Sequence, residues 1–303
     1  MLSLSTYLKN PNILAISLLQ HFGGCIPDKL YLKWLYRLKM GYNLNLNNPK
    51  TFNEKLQWLK LYDRNPNYTN MVDKYSVKSV VKSIIGSEYI IPTLGVWEKP
   101  DDIEWDILPN QFVLKTTHGG GSGGVVICKD KNTFDKGAAI SKLNNSMKHD
   151  IYHALREWPY KNVHKRIIAE AYLEDNQTGE LRDYKFFCFA GRVKALFIAS
   201  ERQSREEPFF NFFDEKFNPL ELQQGHPKAE TSFVKPSCFD EMVKIAEKLS
   251  KGLSHVRVDL YQANNKVYFG EYTFYHFGGL VPFQPELFDS LFGDLLVLPT
   301  PKF

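Results

Sequence analysis

The sequence predicts a mixed fold of the α/β type (α+β), in which two α+β subdomains follow a mainly helical N-terminal region. Helical spacing of apolar residues dominates the N-terminal third, a strand, a glycine loop and a second strand follow at 112–129, and hairpins fill much of the rest. The 303 residues, 43% of them hydrophobic, can bury cores for two or three subdomains. We predict an N-terminal region at 1–105, a small subdomain at 106–173 and a C-terminal subdomain at 174–303.

The N-terminal region begins with two apolar segments. The run from Ile13 to Leu19 is too short to span a bilayer and predicts a packed helix. Residues 28–40 combine leucines and a tryptophan with four basic residues. This composition favours a helix with its apolar side on the core and its basic side in solvent. A helix lying on a membrane surface is the alternative.

Two further helices are predicted before the glycine loop. Thr51 and Glu54 form a capping box in front of a helix that Pro66 ends. A second helix is predicted from Asn70 to Ile85, because apolar residues at helical spacing precede a glycine. Its inward residues would be Met71, Tyr75, Val81 and Ile84, and its solvated face would carry Lys74, Lys78 and Lys82. Residues 87–97 are predicted to form a strand.

Residues 112–129 form the most informative stretch of the chain. Phe112 to Leu114 and Val125 to Cys128 have the β-branched and aromatic bias of strands. The loop between them contains His118, Gly119, Gly120, Gly121, Ser122, Gly123 and Gly124. Glycines let backbone N–H groups approach an anion closely, and Lys115 adds a positive charge beside the loop. We therefore interpret this stretch as a clamp for nucleotide phosphates.

Three other interpretations of the loop fit less well. A flexible linker would not normally lie between two buried strands. A hydrolase nucleophile elbow at Ser122 requires a helix after the serine, where a strand is predicted. A Rossmann or Walker loop also requires a following helix, and the Gly-Lys-Ser/Thr ending of a Walker loop is absent from the sequence.

Helical and loop segments separate the remaining strands. Phe134 to Leu155 predicts a pair of helices, and Arg166 to Leu173 predicts a strand. Ser237 and Asp240 suggest a second capping box, in front of a helix. Its inward residues would be Met242, Ile245, Leu249 and Leu253. Residues 201–217, rich in charge and phenylalanine, are interpreted as a mobile loop or substrate lid that carries Arg202 and Arg205.

Two hairpins carry charged residues on single faces. The first joins 182–190 to 193–201, and alternation places Asp183, Lys185, Phe187 and Phe189 on one face. The second joins 255–262 to 266–274. Alternation places Arg257, Asp259 and Tyr261 on one face, and Val267, Phe269, Glu271 and Thr273 together on the return strand.

The second hairpin predicts a pair of carboxylates. A three-residue loop would place Arg257 opposite Glu271 and make Asp259 a diagonal neighbour of Glu271 on the same face. Two carboxylates so placed suit magnesium better than zinc. A two-residue loop would put them on opposite faces. A surface ion pair between Arg257 and Glu271 is the alternative to a metal site.

The charge of the chain limits the classes of partner, and its cysteines indicate the redox environment. The net charge of +4 comes from 38 basic and 34 acidic residues spread along the chain, so no charged block indicates a nucleic acid partner. Mild basicity suits an anionic small molecule or a glycan. The cysteines are far apart and form no C-x-x-C pair, which argues against zinc or a disulfide framework and fits a reducing cytoplasm. They are Cys25, Cys128, Cys188 and Cys238.

In their order and spacing, these motifs resemble those of ATP-grasp enzymes over about residues 50 to 285. The motifs are Asp73-Lys74, Lys115 with the glycine loop, Glu170 to Leu173, Asp183-Tyr184-Lys185, and the strands carrying Arg257, Asp259 and Glu271. The phrases FNEKLQWLKLYDRNP, LKTTHGGGSG, RDYKFFCF and RVDLY with GEYTF resemble the TupA-like (teichuronopeptide) branch, often associated with capsule and cell-wall polysaccharide synthesis. The resemblance implies that the two subdomains clamp ATP.

The resemblance also assigns roles to individual residues. The implied ATP-binding residues are Lys74, Lys115, His118, Gly119, Gly120, Gly121, Ser122, Gly123, Gly124, Glu170, Ala171, Tyr172, Leu173 and Asp183. Lys185 and Arg257 would be the catalytic residues, because they would neutralise charge as the γ-phosphate moves. Asp259 and Glu271 would hold Mg²⁺. Thr273, which offers a hydroxyl where the family usually has an asparagine, would be the third metal residue.

The implied activity is that of a carboxylate-amine ligase that uses ATP and Mg²⁺. Its partners would be a small amine, such as an amino acid, and a glycan or precursor containing uronic acid. It would act in the cytoplasm or at the inner face of the membrane. A sugar or glycan kinase with the same clamp and a non-enzymatic nucleotide- or glycan-binding module are the alternatives. A binding module would not need Lys115 and Lys185 together with Asp259 and Glu271, which favours an enzyme.

Overall fold

The computed structural model describes residues 11–120, 123–176, 179, 181–201 and 207–301. Its helices are α1 (Pro11–Phe22), α2 (Asp28–Met40), α3 (Phe52–Tyr62), α4 (Asn67–Val72), α5 (Val77–Ile85), α6 (Lys136–Lys148), α7 (Ile151–Leu155), α8 (Phe239–Leu249) and α9 (Leu287–Leu295). Its strands are β1 (Thr93–Trp97), β2 (Phe112–Thr116), β3 (Val125–Cys128), β4 (Ile167–Ala171), β5 (Asp183–Phe189), β6 (Arg192–Ser200), β7 (Phe209–Asp214), β8 (Gln223–Gln224), β9 (His255–Ala263), β10 (Lys266–Thr273) and β11 (Phe283–Gln284). These elements confirm the mixed α+β class.

Helix α3 fastens the N-terminal region to the C-terminal subdomain. It begins at the predicted capping box, where the N–H of Glu54 donates to Thr51 Oγ1 and the N–H of Thr51 donates to the Glu54 carboxylate. The Lys55 ammonium donates to the carbonyls of Gly293 and Leu296 at 2.7 and 2.8 Å. These carbonyls lie at the C-terminal end of α9, where a cation is favourable.

The predicted helix from Asn70 to Ile85 is wrong, because a turn divides it into α4 and α5. Asp73 Oδ1 accepts from the backbone N–H groups of Tyr75 and Ser76 at 2.9 and 3.4 Å. A short side chain that bonds its own backbone in this way competes with helical hydrogen bonds. Tyr75 and Ile84, predicted to face inward, are exposed.

Of two other N-terminal expectations, one changes and one is met. The strand predicted at 87–97 is shorter, since Ser87–Tyr89 form a 3₁₀ turn and β1 starts at Thr93. Helix α1 forms as predicted and packs against the N-terminal core through the partly buried Ile16 and Leu19, although none of its residues is fully buried. In the described part of the chain, no helix is both long and apolar enough to cross a membrane. All four cysteines are free.

The small sheet has the order β1-β4-β2-β3, with every neighbouring pair antiparallel. Phe112 and Leu114 alternate into a core that Leu143 of α6 completes, and Lys115 projects from the opposite face. The division at residue 105 remains a proposal. Strand β1, on the N-terminal side of that division, is an edge strand of this sheet.

The large sheet has the order β10-β9-β5-β6-β7 and is antiparallel throughout. Helix α8 packs against it through Met242, Ile245 and Leu249, and the other face carries the charged residues of β5 and β9. Gly191 has a positive φ in the turn between β5 and β6, as a tight hairpin requires.

Two predictions for the C-terminal subdomain are wrong. Residues 209–214 are not a lid, because Phe210, Phe212 and Phe213 are buried in the core and the strand β7 pairs with β6. Arg202 and Arg205 lie outside the described residues. The capping box at Ser237 does not form, since Cys238 is the N-cap of α8 and makes no side-chain cap. Asp240 instead pairs with Lys235 at 3.0 Å.

Candidate functional site

Three neighbouring strands bring Lys185, Asp259 and Glu271 into one row. Lys185 on β5 is directly opposite Asp259 on β9, and Asp259 is directly opposite Glu271 on β10. Arg257 and Thr273 are paired in the next row along the same strands. Directly opposed residues of antiparallel strands share a face of the sheet. One face therefore presents two carboxylates with a lysine and an arginine beside them.

The register that produces this row differs from the prediction. The loop between β9 and β10 contains two residues, Asn264 and Asn265, rather than three, and Ala263 pairs with Lys266. Both asparagines have positive φ, which matches the type I′ turn that two-residue hairpins prefer. A regular hairpin with a two-residue loop would have placed the two carboxylates on opposite faces of the sheet.

A bulge at Gly270 brings Asp259 and Glu271 back to the same face. The register shifts between Phe269 and Glu271, so that Phe269 points into the core while Glu271 pairs with Asp259. The prediction that Phe269 and Glu271 share a face is therefore wrong. A Cβ at Gly270 would lie 3.0 Å from the Asp259 carbonyl oxygen and 3.0 Å from the Tyr261 ring. Glycine allows this close approach of the two strands.

Asp259 is fully buried and holds two cations in place. Arg257 donates from Nε to Oδ1 and from Nη2 to Oδ2, both at 2.7 Å, and Lys185 pairs with Oδ2. Burial alone would raise the pKa of the Asp259 carboxyl, but Arg257 and Lys185 hold it well below its usual range. The aspartate is therefore ionised. Asp183 makes a second ion pair with Lys185 at 2.6 Å.

His276 is a site residue that sequence reasoning missed. Arg257 Nη1 lies 2.6 Å from His276 Nδ1, and His276 Nε2 lies 3.0 Å from Gln224 Oε1. Burial and the neighbouring Arg257 lower the pKa of His276 far below its usual value, so Nδ1 accepts from the arginine and Nε2 donates to the glutamine. Thr273 Oγ1 accepts from the same guanidinium at 2.9 Å. Only the fold brings these residues together.

A second cluster lies on the facing side of the small sheet. The Glu170 carboxylate pairs with Lys115 and Lys78, each at 2.5 Å. Burial alone would raise the pKa of Glu170, but the two lysines lower it. Burial likewise lowers the pKa of Lys115, and Glu170 more than offsets this effect. The prediction that Lys78 is solvated is wrong, because α5 lies beside β4 and Lys78 also donates to the Ile91 carbonyl at 2.7 Å.

Lys74 connects the first cluster to the glycine loop. Its backbone N–H donates to the Thr117 carbonyl at 3.0 Å, and its ammonium donates to the Gly119 carbonyl. The same ammonium lies 3.5 Å from Glu271 Oε2. Arg166 holds the turn that carries Lys74, because its guanidinium pairs with Asp73 at 2.6 Å. Lys74 is therefore directed at the glycine loop and not at solvent, contrary to the predicted solvated face.

The glycine loop closes a hairpin between β2 and β3. The Thr116 N–H donates to the Gly124 carbonyl at 3.0 Å, and a Cβ at Gly119 would lie 2.7 Å from Thr116 Oγ1. A cavity of about 490 Å³ separates the loop, including Gly120 and Gly123, from α6. Gly121 and Ser122 lie outside the described residues.

His118 and the end of β4 border this arrangement. His118 is buried beside the backbone of Ser146 and His149, and burial together with Lys165 lowers its pKa. Ala171 donates to the Pro92 carbonyl at 3.0 Å, Tyr172 donates to Glu174 at 2.6 Å, and Leu173 follows them at the exit of the strand. Direct contact of these residues with a nucleotide remains a prediction.

A narrow slot lies between the Glu170 cluster and the bulge at Gly270. It is lined by Lys74, Val77, Lys78, Ile90, Ile91, Lys115, Glu170, Phe269 and Gly270. The apolar side chains suit the flat face of a base and the lysines suit phosphates. The slot measures about 10 Å³, which is too small for a nucleotide.

Glu157 is a second residue that sequence reasoning missed. It is buried next to the turn at Gly278 and interacts electrostatically with Lys60 and Arg257. Burial raises the pKa of the Glu157 carboxyl to about 7, against the opposing effect of Lys60. A carboxyl that titrates near neutrality beside a cationic site is suited to accept a proton. No local motif marks this residue in the sequence.

We expect Glu157→Gln to change the pH dependence of stability. At pH values between the ordinary pKa of a carboxyl, about 4.3, and the raised pKa of Glu157, the folded state keeps a proton on Glu157 that the unfolded chain has lost. The free energy of unfolding of the wild type should therefore fall with rising pH across this interval, relative to the variant. Urea unfolding at pH 5 and 7.5 should show that, from the lower to the higher pH, the free energy of unfolding of the variant increases relative to that of the wild type by on the order of 1–3 kcal/mol. Parallel stability profiles would contradict the raised pKa.

The carboxylates also provide a test of whether magnesium fits. Among the described residues, no group of three or more His, Cys, Asp or Glu is arranged to hold a metal. Mg²⁺ commonly takes only one or two carboxylates and completes its shell with substrate phosphates and water. Asp259 and Glu271 match this donor set. Glu271 retains partial exposure for a ligand, with its side chain 28% accessible.

Known structures show partial similarity to this chain. The D-alanine-D-alanine ligase from Helicobacter pylori is 17% identical with a TM-score of 0.45, covering 76% of this chain and 61% of that one. D-alanyl-alanine synthetase A from Vibrio cholerae O1 biovar eltor str. N16961 is 12% identical with a TM-score of 0.43, covering 75% and 63%. The ATP-grasp ligase PsnB with its precursor peptide is 12% identical with a TM-score of 0.40, covering 80% and 66%. The chain thus spans about three-fifths of the length of the first two. The comparison with curated proteins gave no match.

The small antiparallel sheet carries the lysines and the glycine loop, and the large antiparallel sheet carries the row of Asp259 and Glu271. This arrangement is that of the ATP-grasp class. The chain belongs to the TupA-like ATP-grasp family, whose model matches residues 54–297. This membership confirms the resemblance seen in the sequence motifs, and with it the fold.

Proposed function

We propose that the protein is an ATP-dependent carboxylate-amine ligase. The observation that carries the proposal is that four cations act on the Asp259 and Glu271 pair. Lys74 and Arg257 lie 3.5 and 3.8 Å from Glu271, Lys185 pairs with Asp259, and Lys115 interacts electrostatically with Glu271. Such a concentration of positive charge suits a triphosphate and an anionic acceptor held side by side. Membership of the ATP-grasp family supports the same activity.

In the first step, a carboxylate oxygen of the acceptor attacks the γ-phosphorus of ATP. The bond from the γ-phosphorus to the bridging oxygen breaks, ADP leaves, and an acyl phosphate remains. We assign Lys74 and Lys115 to the phosphates, with the glycine loop as their cover. We assign Lys185 and Arg257 to the charge that moves with the γ-phosphoryl group. Asp259 and Glu271 would hold Mg²⁺, which supplies positive charge to the phosphate oxygens when bound.

In the second step, an amine nitrogen attacks the acyl carbon. The C–O bond to phosphate breaks, inorganic phosphate leaves, and the nitrogen loses a proton as the amide forms. The fixed positions of Lys185 and Arg257 support both steps, because preorganised charges need no rearrangement when the negative charge shifts. Asp259, His276 and Thr273 maintain the position of Arg257.

For substrates, we propose an amino acid as the amine and a uronic-acid carboxylate of a bacterial capsule or cell-wall polysaccharide, or of its precursor, as the acceptor. The cationic slot supports an acidic acceptor, and the TupA-like motifs support a role in surface polysaccharide synthesis. The reaction would take place in the cytoplasm or at the inner face of the membrane, where ATP and the precursor are both present.

Trapping with hydroxylamine tests the reaction type. An acyl phosphate is a mixed anhydride that hydroxylamine converts into a hydroxamate, whereas a phosphate ester is inert to this reagent. With ATP, Mg²⁺ and panels of uronic acids, we expect a hydroxamate together with ADP and free phosphate. The yield should vanish in Glu271→Gln and persist in Glu247→Gln, whose glutamate has a similar side-chain accessibility of 27% but pairs with Arg192 on the surface. Phosphate retained on a sugar would identify a kinase, and nucleotide binding without turnover would identify a binding module.

We expect Lys115→Ala to weaken ATP binding while the protein stays folded. The variant loses a charged donor at the slot, and Glu170 keeps Lys78 as its partner. Loss of a charge-assisted hydrogen bond, worth about 1.5–3 kcal/mol, corresponds to roughly 10–100-fold in affinity. Isothermal calorimetry measures the change, with the exposed strand lysine variant Lys194→Ala as the control. Equal affinities for both variants would reject the assignment of Lys115 to phosphate.

A further inference from the structure

The net charge of the chain is concentrated in residues 11–50, mainly on α2. Residues 11–50 contain five basic residues and one acidic residue, which gives +4. The other 263 residues contain 33 basic and 33 acidic residues, so they have no net charge. The whole formal charge of the protein therefore resides in the segment that contains α1 and α2.

The single acidic residue of this segment is neutralised by other parts of the fold. Asp28 pairs with Arg64 at 2.6 Å and with Arg156 at 3.1 Å. Tyr152 donates to the same carboxylate at 3.1 Å. The basic side chains of α2 have no such partner in the segment, and Lys29, Lys33, Arg37 and Lys39 are exposed. A cationic surface results.

Large apolar side chains are exposed on the same two helices. On α1, Leu14 is 44%, Leu18 is 49% and Phe22 is 71% accessible, and their spacing of four residues places them on one face. On α2, Leu30 is 40% and Trp34 is 47% accessible, again four residues apart. In the described part of the chain, α1 buries no residue fully. Isolated exposed apolar residues are common, but two stripes on adjacent helices are not.

We propose that α1 and α2 dock the protein on an anionic phospholipid surface. Exposed Leu, Phe and Trp side chains can enter the boundary between headgroups and acyl chains, while lysines and arginines contact the phosphates. Lys29 and Lys33 directly precede Leu30 and Trp34, so apolar and basic groups meet on α2. A second copy of the chain is the less suitable occupant, because it would bring an equal positive charge against this surface.

Vesicle co-sedimentation tests the proposal with the full chain. We expect binding to vesicles of phosphatidylcholine with 30 mol% phosphatidylglycerol, little binding to pure phosphatidylcholine, and weaker binding as salt is raised. Lys29→Glu with Lys33→Glu should reduce partitioning at least tenfold. Lys244→Glu with Lys248→Glu is the matched control, because these exposed lysines are also four residues apart on a helix, α8. The control should bind as the wild type does.

A second variant tests the apolar part of the surface. Leu18→Ser changes no charge and replaces an exposed side chain, so the protein should fold, as circular dichroism can verify, and still lose partitioning. The proposal would be overturned if both double lysine variants lost partitioning equally, or if the wild type did not bind anionic vesicles. Concentration-dependent dimers that Leu18→Ser abolishes would assign the surface to a second copy instead. Release of ADP by the variants in solution should match the wild type, so this test is independent of the proposed ligase activity.

Discussion

Glu271→Gln is expected to reduce turnover by roughly 10²–10³-fold. The variant loses several kcal/mol of electrostatic stabilisation of the transition state, and each increase of about 1.4 kcal/mol in the activation free energy slows the reaction tenfold. The amide keeps the size of the side chain but removes the charge that a metal ligand requires. The magnesium concentration needed for half-maximal ADP release should rise. Steady-state ADP release over a range of magnesium concentrations measures both effects.

Stability should change little in the same variant. Glu271 is 28% accessible, and its ion contacts with Lys74 and Arg257 are long, at 3.5 and 3.8 Å. Pairs of this kind contribute about 0–1 kcal/mol. Glu247→Gln provides the control, because it neutralises an equally accessible glutamate on α8. Full activity combined with a clear loss in melting temperature would favour a structural ion pair with Arg257 over a metal ligand.

Gly270→Val is expected to abolish activity although it alters no charged residue. Its side chain would meet the Asp259 carbonyl and the Tyr261 ring at about 3.0 Å, with backbone on one side and a packed ring on the other. The strands must move apart, and the pairing of Asp259 with Glu271 depends on their present register. Overpacking of this kind typically costs about 1–3 kcal/mol, so the melting temperature should fall as well.

Tyr268→Val is the control for this prediction. It introduces the same side chain two residues upstream on β10, where the pairing with β9 is regular. It should keep most of the turnover. If Gly270→Val retained wild-type activity and magnesium dependence, the bulge would not be needed to align the two carboxylates.

Local signals in the sequence determined most elements and several site residues correctly. The strands around the glycine loop, the capping box at Thr51 and the hairpin that carries Lys185 depend on residues close together in the chain. Their backbone preferences are therefore visible without tertiary context. The order of the motifs also indicated the family, because this order can be read along the chain and does not depend on how the residues pack.

The limits of local reasoning appear where distant residues compete with local preferences. The helix predicted across Asp73 breaks because Asp73 caps a turn and binds Arg166. Residues 209–214 form a strand because β6 offers an unpaired edge. Lys78 becomes a slot residue only when α5 lies against Glu170.

The sequence by itself determined that one strand carries Asp259 and the next carries Glu271. Only the tertiary structure decided that they face each other, since a two-residue loop separates them and the bulge at Gly270 reverses the alternation. The cations around them, including the arginine held by His276, come from segments far apart in the chain. Electrostatic interactions between such segments depend on distances that the fold alone sets, and sequence periodicity carries no information about them.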